Sequence, residues 1–168
     1  MNADASNITA TAQLAGKYLT FALADEEYGL PVLRVREIIK MMDITAVPRT
    51  PAYVRGVINL RGRVISIIDL RRKFDLPPCE PGPTSCIIVV AAHAAHVGLL
   101  VDRVSEVADI GAADIAPPPP LGAGARTEYL VGVAKSGARV RLLLDISRVI
   151  DAGDLAAAGA PSGAPTAA

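Results

Sequence analysis

Apolar residues in this chain fall in short runs of strand length. YLTFAL (18–23), VISIID (64–69), CIIVVA (86–91), VGLLV (97–101) and RVRLLLD (139–145) are rich in β-branched or aromatic residues and are bounded by Gly, Pro or charged turns. Helical periodicity is weak and local. DLRRKF (69–74) and DISRVI (145–150) can each make a turn or two, started by an Asp in capping position. APPPPLGAGA (116–125) is a stiff and then a flexible loop, and its prolines exclude it from a central strand. Residues 1–15 read as a flexible arm, and residues 153–168 as a disordered Ala/Gly/Pro tail.

The strand-like units repeat. YLTFALADEEYGLPVLRVREI (18–38) aligns without gaps with IIVVAAHAAHVGLLVDRVSEV (87–107), at a constant offset of 69 that brings Gly29 onto Gly98. AYVRGVINLRGRVISIIDL (52–70) aligns with EYLVGVAKSGARVRLLLDI (128–146) at an offset of 76, which pairs Tyr53 with Tyr129, Gly56 with Gly132 and Asp69 with Asp145. The change of seven between the offsets is expected in the proline-rich loop, where insertions cost little. Two copies of one strand-rich unit predict an all-β fold of two packed five-stranded barrels, with short helical turns and a short C-terminal helix. The expected domain spans 16–152, with a first barrel at about 16–80 and a second at about 84–150, and an exchange of strands between them left open. A unit of this size buries little core alone, so the barrels should pack together and leave a candidate groove at their seam.

Composition removes several function classes. Seventeen basic and seventeen acidic residues cancel, which argues against a general nucleic-acid binder. Trp is absent and aromatics are few, so base-stacking platforms are not expected. The two cysteines, Cys79 and Cys86, match no common zinc or redox spacing and read as reduced thiols. The first residues lack the basic and apolar regions of a secretion signal, and the longest apolar run is too short to cross a bilayer. A cytoplasmic protein without direct membrane insertion is the expectation.

Candidate chemistry is sparse. His93 and His96 could form a metal pair or serve Cys86 as a base, but the segment aligns with the polar turn ALADEE, and no third ligand accompanies it. Asp25, Glu26 and Glu27 are consecutive in a turn and diverge, so a solvated turn is the simpler reading. Asp69 and Asp145 read as caps for the short helices. No nucleotide-binding, nucleophile-elbow or zinc-protease motif occurs. Neither catalysis, a cofactor nor a metal is expected. Glu37 and Arg61 remain as charged residues flanking apolar strands, read either as a surface ion pair or as a pair that orders a binding surface. Arg63 recurs as Arg139 and reads as structural, whereas Arg61 aligns with Gly137.

EEYGLPVLRVREI, VPRTPAYVRGVINLRGRVISIIDLRRKF, VGLLVDRVSEV and EYLVGV, in this order, resemble the CheW family of bacterial chemotaxis coupling proteins. The resemblance runs from about Tyr18 to Ile150, and Ser66 stands where the family pattern has a proline. It implies two SH3-like barrels side by side and no catalysis. It implies an adaptor between the cytoplasmic tip of a chemoreceptor hairpin and the regulatory domain of the histidine kinase CheA, with CheW-like and kinase subunits in rings. Carried over by motif, Glu37 and Arg61 pair near the receptor-binding groove, with Val32, Val35 and Gly62 alongside. The kinase contact falls near Ile44 and Val47. A second ring contact falls at Leu121, with Ala116 and Leu121 replacing the basic and aromatic residues that relatives carry there. The alternatives are a coupling protein of a related chemosensory pathway and a small thiol/His enzyme.

Overall fold

A computed structural model describes residues 15–77, 79–92, 95–117 and 129–150. Among them the first copy of the repeat supplies β1 (Gly16–Leu23), β2 (Glu26–Pro31), β3 (Val35–Lys40), β4 (Val54–Leu60), β5 (Arg63–Asp69) and the one-turn helix α1 (Leu70–Lys73). The second supplies β6 (Cys86–Ala92), β7 (Ala95–Val101), β8 (Arg103–Ile110), β9 (Ile115–Ala116), β10 (Leu130–Ser136), β11 (Arg139–Leu144) and α2 (Ile146–Val149). The fold is all-β, and the duplication reaches fine detail. β4 and its counterpart β10 carry a bulge at the same place, between Val54 and Gly56 and between Leu130 and Gly132. The Asp69 amide donates to the Tyr53 carbonyl as the Asp145 amide donates to that of Tyr129. Asp69 caps α1 by accepting from the Arg71 and Arg72 amides, and Asp145 caps α2 by accepting from that of Ser147.

Strands are exchanged between the copies. One sheet runs β8-β1-β2-β11-β10-β9 and the other β3-β6-β7-β5-β4. The first two strands of each copy therefore join the last strands of the other copy. The copies meet at two parallel pairings, β2 with β11 and β5 with β7, and at two antiparallel ones, β1 with β8 and β3 with β6. The two-residue β9 adds the sixth strand to the first sheet. Its counterpart in the second is Thr45, which makes a single bridge to Val57 as Ala116 pairs with Val133. Thr45 and Ala116 are 71 apart, so two of the seven extra residues enter before β9 rather than all in the proline loop. Ser66 is buried in mid-β5 between Val57 and Val97, and the strand continues through it.

Among the described residues the seam is filled rather than open. The main apolar cluster lies there, with Leu19, Phe21, Leu23 and Leu30 from the first sheet meeting Ile68, Ile88, Val90 and Leu99 from the second. Each fully buried side chain of this kind contributes roughly 1.5–3 kcal/mol. α1 and α2 close its ends with Leu70, Ile146 and Val149. Phe21, Tyr28, Phe74 and Tyr129 form a chain of ring contacts through it, at centroid separations of 5.8, 5.5 and 5.2 Å. Two smaller clusters fill the concave faces: Ile58, Ile65, Ile67, Ile87, Val89 and Leu100 in the five-stranded sheet, and Tyr18, Ile110, Ile115, Ala134 and Leu143 in the six-stranded sheet. Apolar side chains occupy the seam because neither sheet buries enough surface alone. Openings remain at the ends of the sheets.

Candidate functional site

The β4–β5 hairpin positions the first candidate residues. Leu60 pairs with Arg63, leaving Arg61 and Gly62 as a two-residue loop, both with positive φ (51° and 85°). That is the geometry of a tight turn whose twist matches the flanking strands. The Gly62 amide donates to Asn59 Oδ1 at 2.9 Å and fixes the turn. Arg61 has a side chain and still takes the left-handed conformation, at a cost of order 1–2 kcal/mol. Glu37 projects from β3, and Arg61 Nη2 donates to its Oε2. β3 and β4 are the two ends of the five-stranded ladder, so this ion pair bridges its open edge. The Arg61 side chain is 70% exposed, which limits the pair's worth in stability to a fraction of about 1 kcal/mol.

A cavity of about 210 Å³ lies under that bridge, lined by Arg36, Glu37, Leu60, Arg61, Arg63, Ile65, Val89 and His96. Ile65 and Val89 belong to the cluster inside the sheet, so the cavity is the mouth of the barrel-like fold. Arg63 Nη1 contacts His96 Nδ1 at the rim. Burial lowers the His96 pKa, and the Arg63 and Arg36 charges lower it further, while Glu37 opposes them. These effects favour the neutral form of His96, and the mouth carries three guanidiniums against one carboxylate.

The other candidates fall in different places. Val35 leaves Glu37 across a bulge and packs against the seam cluster. Val32 opens a single 3-10 turn, Val32–Arg34, where β2 passes to β3. Leu33 in that turn is 86% exposed. Sequence reading passed over it, although its alignment with Asp102 was a usable signal. Ile44 packs against the cluster inside the five-stranded sheet, and Val47 is half-buried beyond it. Ala116 is half-buried in β9; Leu121 and His93 lie outside the described residues. Arg63, read from sequence as structural, and His96, read as a turn residue, both belong to the rim of the mouth. Arg63 does recur, but its partner changes: His96 lies in strand β7 rather than a loop, and Glu27 holds the same place beside Arg139.

Geometry opposes the thiol reading for His96. Cys86 pairs with Val101 at one end of the β6–β7 ladder, and His96 pairs with Ala91 near the other. Cys86 and Ala91 are five steps apart along the strand, roughly 16 Å. Burial raises the Cys86 thiol pKa, the opposite of an activated nucleophile. Among the described residues no three His, Cys, Asp or Glu side chains converge as metal ligands would. No helix among them is long and apolar enough to cross a membrane.

A second, larger cavity, about 520 Å³, lies on the six-stranded sheet beside Asp25, Glu26, Glu27, Arg103 and Arg139. Two of its charged side chains engage each other, since Glu27 accepts from Arg139, and Glu27 accepts from Arg141 as well.

Comparison with known proteins gives a consistent picture. The CheW-like domain model matches residues 17–154. The chemotaxis protein CheW of Klebsiella aerogenes is 35% identical over 156 residues, covering 90% of this chain and 94% of the relative. Protein FrzA of Myxococcus xanthus is 30% identical over 145 residues, covering 85% and 90%. The crystal structure of the scaffolding protein TtCheW from Thermoanaerobacter tengcongensis superposes with a TM-score of 0.77 at 34% identity, covering 83% of this chain and 95% of that one. With its exchanged sheets, its matched length and these likenesses, the chain belongs to the CheW-like family.

Proposed function

We propose that this chain is a non-catalytic adaptor that couples the cytoplasmic tips of chemoreceptors to the histidine kinase CheA. The observation that carries the reading is the joint occurrence of the family match and a charged mouth on the five-stranded sheet, bridged by Glu37 and Arg61. An adaptor needs surfaces rather than reacting groups. Charged guides set the register of a partner, and apolar contacts supply the affinity. Val32, Val35, Glu37, Arg61 and Gly62 form the receptor side, with the exposed Leu33 beside Val32. Ile44 and Val47, on the segment leading to β4, form the side for the kinase regulatory domain, and Leu121 is assigned to a further ring contact. The protein acts in the cytoplasm and is recruited to membrane receptor arrays, with other CheW-like subunits as ring neighbours.

Binding of the purified chain to a receptor hairpin fragment and to the CheA regulatory domain tests this. Arg61→Glu should weaken receptor binding at least tenfold and leave kinase binding and the urea midpoint unchanged. Val47→Glu should weaken kinase binding with the same midpoint control, since Val47 is half-buried. Undiminished receptor binding by Arg61→Glu would count against the receptor side as drawn. The likeness to FrzA supports a second reading, a coupling protein of a related chemosensory pathway. The identity of the kinase recovered with the chain from its own cells separates the two.

A further inference from the structure

The duplication builds the mouth twice, and the two copies differ in what fills them. In the five-stranded sheet the floor is Ile65 and Val89, and the rim carries Glu37, Arg61, Arg63 and His96. The aligned positions in the six-stranded sheet are Arg141 and Thr20 on the floor, and Glu106, Gly137, Arg139 and Glu27 on the rim. There Arg141 is only 7% exposed. Its guanidinium donates to Glu27 Oε1 at 3.0 Å and to Glu106 Oε2 at 3.0 Å. Thr20 Oγ1 donates to the Glu106 carbonyl at 2.9 Å and holds that strand against the plug. A buried charge held by two carboxylates is a closed arrangement, costly to open from either side.

The open mouth inverts this. Its floor is apolar and supplies no charge, and its rim is cationic by three guanidiniums to one carboxylate. The one internal carboxylate, Glu37, meets an Arg61 side chain that is 70% exposed, so that contact exchanges at little cost. We infer that the open mouth is a binding site for an acidic side chain of a partner protein, set beside an apolar side chain that rests on Leu60, Ile65 and Val89. Arg61 and Arg63 hold the carboxylate, with Arg36 adding charge. Arg141 is the specificity determinant that keeps the sister mouth closed. The inference rests on reading Glu37 and Arg61 as part of a docking surface, and it adds the chemistry of what docks.

The test uses a small probe, N-acetyl-Leu-Glu-amide, titrated into the full chain and followed by NMR of the arginine Nε–H and histidine ring signals. Saturable shifts at Arg61, Arg63 and His96 are expected, at least several-fold weaker with N-acetyl-Leu-Gln-amide and absent at Arg139 and Arg141. The double variant Ile65→Arg with His96→Glu copies the sister mouth and should abolish the shifts. Arg61→Gly, which suits the turn, should weaken them without unfolding the chain. Equal response to both peptides, equal shifts at the two mouths, or full binding by Arg61→Gly would overturn the inference. Failure of the adaptor reading shows separately: probe binding would persist while receptor binding ignored Arg61→Glu.

Discussion

Arg61 joins backbone strain and exposure in one side chain. It sits at a turn position where glycine or asparagine is favoured, with φ at 51°, and the second copy has Gly137 there at 62°. Left-handed arginine at an exposed turn is retained against its conformational cost, which points to a use for the side chain. Arg61→Gly should therefore raise stability or leave it unchanged, by up to about 1 kcal/mol in a urea titration, while weakening receptor binding. A clear loss of stability in this variant would mean that the Glu37 bridge is structural. At this scale the sequence was partly legible. Arg61 stood out because it does not recur, and Asp69 and Asp145 were readable as caps because they do. Arg63 and His96 were hidden, since recurrence at Arg139 says nothing about a partner that changes from Glu27 to His96.

At the scale of elements, the two crossover corners differ. The corner from β7 to β8 is clamped: Asp102 receives the Ala24 amide at 2.8 Å and the Arg71 guanidinium at 2.8 and 2.6 Å. The aligned corner from β2 to β3 presents Leu33 to solvent instead. Burial alone would raise the Asp102 pKa, but the Arg71 and Ala24 hydrogen bonds outweigh it and hold the carboxyl below its ordinary value of 3.8. A carboxylate depressed in the folded state stabilises the fold fully above its unfolded pKa and loses that contribution as pH falls through the folded one. Asp102→Asn should thus lower the urea midpoint most at pH 7, with the difference from the parent shrinking below about pH 4. A difference that persists unchanged at pH 2.5 would show that the cost is steric. The clamp was not legible in sequence: Asp102 and Arg71 are 31 residues apart and lack a recurring counterpart to link them.

For the whole molecule, the duplication was legible and its wiring was not. Strand runs, glycines and caps recur at fixed offsets, and those are local signals. Which sheet a strand joins depends on pairings between distant segments, such as β1 with β8 and β2 with β11, and no short-range pattern records these. The same fact explains why the seam holds the core. Chain crossing twice between the layers, from β2 to β3 and from β7 to β8, leaves Leu19, Leu30, Ile88 and Leu99 facing one shared interior. Each half then lacks the partners of its own first two strands, and its apolar faces stay uncovered. Residues 15–80 and 84–150 expressed separately should each lack a cooperative unfolding transition and dispersed amide signals. Mixed in equal amounts after refolding together, they should recover one transition and elute as a single complex. A half that unfolds cooperatively by itself would mean that it can close on its own strands, as a simple unswapped barrel. The exchange of β1 and β2 for β6 and β7 would then be a choice between two near-equal pairings rather than a requirement of the fold.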